Sequence, residues 1–363
     1  MSSEAKDRSS SATAPPDAPP PPPSLASLVP AEVEALCRAL GEPPYRARQL
    51  AAWVHRKHAA DYDAMSDLPK ALRERLRARL PVRATVVARE EASADGTRKL
   101  LLRLADGEHV ECVLIPEEDR LTACLSTQVG CGVGCVFCAS GAEGVRRNLT
   151  HGEIVEQALH LLDRASGRLT NVVVMGMGEP LHNVEELGRA LRILMDPACL
   201  DLASRRITVS TSGVRRGFER FLRLGLKVGL AISLHAPHDA LRRELVPRGG
   251  TGSVAELREM ALRWFRATGR DVTFEVVLID GKNDRDADAR ALAALAGRHV
   301  NVNLIPMNPV PFAPGLRAPP AERVDRFARL LAERGVVVHV RRRRGDDVAA
   351  ACGQLRLREE RGT

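Results

Sequence analysis

Three cysteines within eight positions are the densest group of metal-binding side chains in the chain: Cys131-Gly132-Val133-Gly134-Cys135-Val136-Phe137-Cys138. Thiolates are the usual ligands of iron–sulfur clusters. Three of them on one loop surround such a cluster and leave one iron without a protein ligand. Structural zinc takes four ligands, commonly as two separated Cys or His pairs, and no fourth is close by here. Two further cysteines stand apart: Cys124, seven residues before the trio, and Cys352, in Ala349-Ala350-Ala351-Cys352-Gly353-Gln354-Leu355. A thiolate is a strong nucleophile, and two thiols brought together can exchange a disulfide. Cys37, Cys112 and Cys199 fit no pattern and read as structural.

Polar motifs recur where strands should end. Met175-Gly176-Met177-Gly178-Glu179-Pro180 offers close backbone approach and a carboxylate able to meet an ammonium. Ser210-Thr211-Ser212-Gly213, Ser233-Leu234-His235 and Pro306-Met307-Asn308-Pro309 repeat the theme. Each alone is ordinary turn chemistry. Together they point to one pocket, because strand C-terminal ends in a barrel face a common centre.

The elements that position them read as an α/β protein. Strands are expected at 121–127, 171–175, 206–210, 228–233, 272–279, 300–305 and 336–340, with helical patterns between most of them. Thr150 and Glu153 form a capping box for the first helix, flanked by the staple Leu149 and Ile154. Six or seven strand–helix units imply parallel strands, in a full or partial barrel or an open doubly wound sheet. No Gly-x-Gly-x-x-Gly follows a first strand, so a barrel is preferred. A hairpin, 99–104 and 109–115 around Asp106-Gly107, precedes it. Before that, 31–40, 46–58 and 70–80 read as three helices.

Five segments follow: a Pro-rich tail at 1–27, a helical domain at 28–90, a hairpin linker at 91–120, the barrel with its late cysteine at 121–355, and a charged tail at 356–363. The tail holds five consecutive prolines, Pro19 to Pro23, and should be extended. From 31 to 90 there are twelve Lys or Arg against eight Asp or Glu. That excess fits an RNA-docking face or a solvated basic one. The whole chain of 363 residues carries a formal charge of +8, which favours an anionic partner. Only 3% of residues are aromatic, which argues against rows of base-stacking rings. No apolar run is long enough to span a membrane and no secretory signal is visible, so a reducing, cytoplasmic setting is expected.

The Cys-x-x-x-Cys-x-aromatic-Cys run after a first barrel strand resembles the signature of the radical S-adenosylmethionine superfamily. The wider ordered set is similar to the bacterial radical enzymes that methylate adenine in ribosomal RNA: Ile115 to Arg120, Ser126 to Cys131, Arg147 to Thr150, Met175 to Pro180, Ser233 to His235 and Gly345 to Leu355. The resemblance implies a partial (β/α)6-type barrel with a small N-terminal helical domain. It implies a [4Fe-4S] cluster on Cys131, Cys135 and Cys138, with S-adenosylmethionine on its open iron, held by Gly178, Glu179, Ser210, Ser233, Leu234, His235 and Asn308. Two S-adenosylmethionine molecules would serve each turnover.

Carbon 2 of adenine is electron-poor and cannot attack a methyl sulfonium directly. The family therefore methylates a thiolate first, here Cys352, and an adenosyl radical then activates that methyl to add to the ring. The resemblance makes Glu111 the proton acceptor. It makes Cys124 the thiol that frees the RNA by forming a disulfide with Cys352. It implies carbon 2 of adenosine 2503 in 23S rRNA and adenosine 37 in tRNAs as targets, a ferredoxin- or flavodoxin-like electron donor, and a monomer. It also places a basic neighbourhood at Arg341 to Arg344. Ser140 and the absence of an aromatic at Gly144-Val145 depart from the pattern without removing a ligand. Three alternatives stay open: methylation at carbon 8, a radical enzyme that does not use Cys352, and a non-catalytic zinc or RNA-binding protein.

Overall fold

The computed structural model describes residues 23–248, 252–310, 312–341 and 345–355. The Pro-rich run before 23, Arg342 to Arg344 and the charged tail at 356–363 lie outside them.

The described residues hold twelve strands, nine of them at runs read from the sequence. They are β1 (Val86–Ala92), β2 (Arg98–Arg103), β3 (His109–Glu117), β4 (Arg120–Cys124), β5 (Gln128–Gly130), β6 (Val145–Asn148), β7 (Asn171–Val174), β8 (Ile207–Thr211), β9 (Gly229–Ser233), β10 (Val272–Leu278), β11 (Val300–Pro306) and β12 (Val338–Val340). Ten of them form one sheet in the order β1-β2-β3-β4-β7-β8-β9-β10-β11-β12. From β4 to β12 every neighbouring pair is parallel. The spatial order follows the chain order without reversal, which is barrel winding; a doubly wound sheet reverses at a switch point. The arc stays open, ending at β1 on one side and β12 on the other.

Helices cover the outside of the arc: α4 (His151–Leu162), α5 (Val184–Met195), α6 (Arg215–Arg223), α7 (Asp239–Leu245), α8 (Val254–Thr268), α9 (Asp286–Ala296) and α10 (Ala321–Ala332). Successive strand residues point to opposite faces. Val172, Val174, Val209, Leu230, Ile232, Phe274, Val276, Val302 and Leu304 are buried in the main apolar core. The alternate residues face inward and are polar at many levels, among them Ser210, Ser233, Glu275 and Asn303. The first crossover helix starts as its sequence requires. Thr150 Oγ1 accepts from the Glu153 amide at 3.2 Å, and Glu153 Oε2 accepts from the Thr150 amide at 2.8 Å. Leu149 and Ile154 are both fully buried.

The helical domain holds α1 (Pro30–Ala39), α2 (Tyr45–Ala51) and α3 (Lys70–Arg77). The single helix expected over 46–58 is α2 continued by a π-helical turn at Ala52–Arg56. Two boundaries differ from the sequence reading. The tail expected to reach Ser27 ends earlier, because Ser24, Leu25, Ala26 and Ser27 are all buried. The amides of Leu25 and Ala26 donate to the carbonyls of Pro81 and Val82, and Ser24 Oγ donates to Glu156 Oε1 at 2.5 Å. The hairpin drawn as a linker is a three-stranded antiparallel wing of the main sheet, and β1 straddles the boundary placed at 90.

Candidate active site

Strand β4 ends at Cys124, and the chain turns through the short antiparallel ribbon β5–β6 that carries the cysteine trio between its strands. The ribbon closes the base of that loop, where the Cys131 amide donates to the Gly144 carbonyl at 2.8 Å. Gly130 has φ of 77°, and a Cβ there would lie 2.1 Å from the Gly144 oxygen, so only glycine fits. The far side of the loop is tied to the region of α7: the Val136 amide donates to Leu245 O, and the Arg248 amide to Val133 O.

The three cysteines line an open cavity at the C-terminal ends of the parallel strands. Of the thirteen residues singled out in the sequence, ten line it: Cys131, Cys135, Cys138, Gly178, Glu179, Ser210, Ser233, His235, Asn308 and Cys352. Glu111, Cys124 and Leu234 lie outside the lining. Leu234 is buried in the main apolar core, and its amide donates to the Glu275 carbonyl.

Burial pushes the Cys131 thiol up to about 12 and lifts Cys135 and Cys138 as well. A metal centre would have to displace those protons. Among the described residues no three His, Cys, Asp or Glu side chains are gathered for a single metal ion. A single ion draws its ligands to about 2.3 Å and so brings them close together. Three thiols lining one cavity are the donor type of an iron–sulfur cluster.

Glu179 is 3% exposed. Its Oε1 accepts from Thr211 Oγ1 at 2.7 Å and from the Leu181 amide at 2.9 Å, and its Oε2 accepts from the Ser212 amide at 2.7 Å. It thereby ties the end of β7 to the end of β8. Gly178 precedes it at φ 103°, where a Cβ would sit 2.7 Å from Gln128 Cβ. His235, at φ 61°, accepts from the Val277 amide on Nδ1 at 3.2 Å. Burial, helped by the Arg242 charge, drives its imidazole down to about 3, so it is neutral and can donate from Nε2. Ser210 and Ser233 hydroxyls meet at 3.4 Å. Three buried polar atoms of the lining residues have no partner: Ser212 Oγ, Glu275 Oε2 and Asn308 Oδ1. A polar ligand would satisfy them.

The late cysteine reaches this cavity on a well-tied segment. The Ala139 amide donates to Gly353 O at 2.6 Å, Ser140 Oγ to Leu355 O at 2.6 Å, and Asn308 Nδ2 to Cys352 O at 3.0 Å. The turn between β1 and β2 holds its other end: the Gly345 amide donates to Asp95 Oδ2 at 3.1 Å. Cys352 is solvent-exposed on one side. Protein crowding on the other sides raises its thiol, and Arg341 opposes that. Burial lifts Cys124 to about 12, and the nearby Cys352 sulfur adds to the shift. The two are neighbours, but all eight cysteines are free, so they are not bonded to each other here.

Glu111 lies one strand from the lining. Val113 pairs with Cys124 across β3–β4. Glu111 is two residues further toward the cysteine-loop end, on the same face of β3 as Val113. Its carboxylate meets Lys99 Nζ at 3.2 Å. Sequence reasoning missed Glu275 and read Arg341 only as part of a basic neighbourhood; the two line the cavity and pair at 3.5 Å. It also missed Arg242, whose guanidinium donates to the carbonyls of Ser212 and Ser233 and ties β8 to β9. Glu275 sits in the apolar run Val272-Thr273-Phe274-Glu275-Val276-Val277, and only the inward face of β10 marks it. No helix among the described residues is long and apolar enough to cross a membrane.

Residues 125–294 match the radical SAM superfamily, and residues 24–82 match the ribosomal RNA large subunit methyltransferase N-terminal domain. The second match begins at Ser24, which is buried. A radical SAM methyltransferase structure from Sphaerobacter thermophilus is 49% identical, with a TM-score of 0.89, over 92% of this chain and 99% of that one. A domain of a pyruvate-formate lyase-activating enzyme from Bacteroides vulgatus is 17% identical, with a TM-score of 0.38, over 48% of this chain and all of that one. With a partial barrel, a cysteine-trio cavity and both matched regions in place, the chain belongs to the radical S-adenosylmethionine methyltransferases of large-subunit ribosomal RNA, enzymes that use a [4Fe-4S] cluster and S-adenosylmethionine.

Proposed function

We propose that this enzyme methylates carbon 2 of adenosine 2503 in 23S rRNA, and adenosine 37 of tRNAs, through a methyl group carried on Cys352. One observation carries the reading: Cys352 lines the same cavity as Cys131, Cys135 and Cys138, with Cys124 as its neighbour. A thiol held at that place can take a methyl group and be released again by a second thiol.

Cys131, Cys135 and Cys138 would hold the cluster. Gly178, Ser210, Ser233, His235 and Asn308 would line S-adenosylmethionine, and Glu179 fixes the strand ends beneath it. When bound, these groups supply one-electron cleavage of a sulfonium and hence a carbon radical that abstracts hydrogen. The rest falls to this chain's side chains. Cys352 loses its proton and takes a methyl by displacement, and the Arg341 charge beside it favours the thiolate. After the carbon joins the adenine ring, Glu111 accepts the ring proton and the odd electron passes back to the one-electron carrier, so the ring is closed-shell again. Cys124 then attacks the Cys352 sulfur. The S–S bond forms as the carbon–sulfur bond breaks, and the carbon keeps the electron pair and takes a proton to become methyl. The one-electron donor would be of the ferredoxin or flavodoxin class.

Reconstituted enzyme, rRNA, reductant and S-adenosylmethionine should give 2-methyladenosine, identified by nucleoside mass spectrometry against the carbon-8 isomer. The 8-methyl isomer alone, or turnover by Cys352→Ala, would overturn the reading.

A further inference from the structure

Lys99 is a buried cation clamped between two carboxylates, and the mechanism above gives it no part. Its side chain is 6% exposed. Its Nζ lies 3.2 Å from Glu111 Oε1 and 2.8 Å from Glu91 Oε2. The Glu111 side chain is 5% exposed, while that of Glu91 is 19% exposed and meets Arg89 at 2.8 Å, nearer the solvent. The sheet register explains the alignment. Glu91 pairs with Lys99, Lys99 with Val113, and Val113 with Cys124, so one transverse row runs from the edge strand to the buried thiol. Paired residues share a face, and Glu111 stands one step above that row on the same face. The line from buried Glu111 through Lys99 to half-exposed Glu91 is continuous at hydrogen-bond distances.

We propose that Glu91, Lys99 and Glu111 form a proton exit from the reaction chamber. This rests on the reading of Glu111 as proton acceptor. Two protons come off at this end of the cavity, one from the adenine carbon and one from the Cys124 thiol. One returns to the new methyl group. One is therefore in surplus until the disulfide is reduced and Cys124 takes a proton back, and Glu111 has little solvent of its own. Lys99 gives an ammonium proton to Glu91 as its nitrogen takes the proton from Glu111. Lys99 ends charged as it began, Glu111 is ionised again, and Glu91 releases the proton to water. A buried ion cluster kept only for stability is a poor bargain, since breaking even and costing are both common outcomes. Here the cluster links a base to the surface.

Arginine separates a relay from a mere clamp. A guanidinium keeps the charge and both ion pairs but does not give up a proton in proteins. The experiment is single turnover of the reconstituted full chain with an rRNA fragment. Covalent RNA–protein adduct is read on a denaturing gel, and released methylated RNA by mass spectrometry. Lys99→Arg should form the adduct and release product about tenfold or more slowly. Glu91→Gln, which removes the final acceptor and leaves Lys99 beside Glu111, should slow release to a similar degree. Release by Lys99→Arg at the parental rate overturns the relay and leaves Lys99 a positioning residue. Glu111→Gln distinguishes the two levels. If it too releases product at the parental rate, the assignment of Glu111 fails, and the relay with it. If it stalls while Lys99→Arg and Glu91→Gln do not, only the relay fails.

Discussion

Two buried glutamates stand in two regions of the molecule and are finished in opposite ways. Glu156 on α4 is 1% exposed and Glu275 on β10 is 4% exposed. Burial raises the carboxyl of both. Glu156 is filled: Ser24 Oγ and the Ala84 amide donate to Oε1, and the Ala84 amide, the Thr85 amide and Thr85 Oγ1 donate to Oε2. Those donors come from the start and the end of the helical domain, so this carboxylate rivets that domain to the barrel. Glu275 receives Asn303 Nδ2 at 2.9 Å and Arg341 at 3.5 Å on Oε1, while its Oε2 has no partner. A saturated buried charge serves the fold. An unsaturated one, beside a cavity that holds a nucleophile, is kept for something that arrives later.

The sharpest way to break this contrast is to remove the nucleophile from the unsaturated region. Cys352→Ala should abolish RNA methylation, because no other thiol lines the cavity apart from the three assigned to the cluster. Its melting temperature should stay within a few degrees of the parent, as an exposed thiol contributes little packing. Methylated-nucleoside yield and thermal denaturation check the two parts. Residual methylation would return the cavity to a radical enzyme of another class.

The same isosteric change made in both regions tests the contrast directly. Glu156→Gln places an amide NH₂ against donors that need an acceptor, at a site with no room for water. It should cost about 4 kcal/mol, as several buried donors lose their partner. Glu275→Gln keeps Oε1 for Asn303 and loses a charge whose other oxygen was already alone. It should cost about 1 kcal/mol or less in urea denaturation but lower methylation about tenfold. Equal stability losses at the two sites would mean that Glu275 is as structural as Glu156.

Acid should loosen the riveted region first. Burial, with the Arg83 charge, holds His55 and His160 down at about 4. His160 accepts from Arg83 on Nδ1 and meets Thr85 through Nε2, an arrangement for a neutral ring. A histidine whose folded value is lowered stabilises the fold fully above its ordinary value near 6.5. That contribution is lost as pH falls toward 4, where the unfolded chain takes the proton more readily. Each can contribute about 3 kcal/mol. Glu156, raised in the fold, works in the opposite sense, so the histidines should be isolated by variant. His235, held down to about 3, loses stability over the same range, so in urea titrations from pH 7.5 down to about 4, His160→Gln should flatten the loss by roughly a third. An unchanged slope would place the acid sensitivity elsewhere.

How much of this was legible depended on sequence distance. The Thr150–Glu153 cap, the Asp106-Gly107 hairpin and the cysteine loop are local, and their residue types carry the geometry. The parallel arc followed from repeated alternation. Strand β1 was not visible, because Val86-Val87-Ala88-Arg89-Glu90-Glu91-Ala92 is an edge strand with mostly exposed or half-exposed positions. Ser24 was assigned to a tail because five prolines precede it, while its partner Glu156 lies 132 residues away. Glu275 and Arg341 become a pair only once β10, β11 and β12 lie side by side. Lys99 looks like any strand lysine until β1 and β3 flank it.

The smallest effect belongs to the element that joins the two regions. Helix α4 carries Glu156 toward the helical domain and Gln157 toward the chamber, where Gln157 Oε1 accepts from the Ser126 amide at 2.8 Å. Thr150→Ala removes the hydroxyl that accepts from the Glu153 amide, which should cost about 1 kcal/mol. Glu153 would keep its bonds to Arg147 at 2.8 Å, so the helix start should fray by little more than that one donor. The Leu149 amide still donates to Thr127 O, and Asn183 Nδ2 still bridges Thr127 O and Leu149 O, so the chamber side stays anchored. Stability should therefore drop slightly in both urea midpoint and melting temperature while methylation per folded molecule stays the same. A loss of activity larger than the loss of folded protein would mean that the start of α4 sets the position of the cysteine ribbon, and the two regions would then be coupled through this cap.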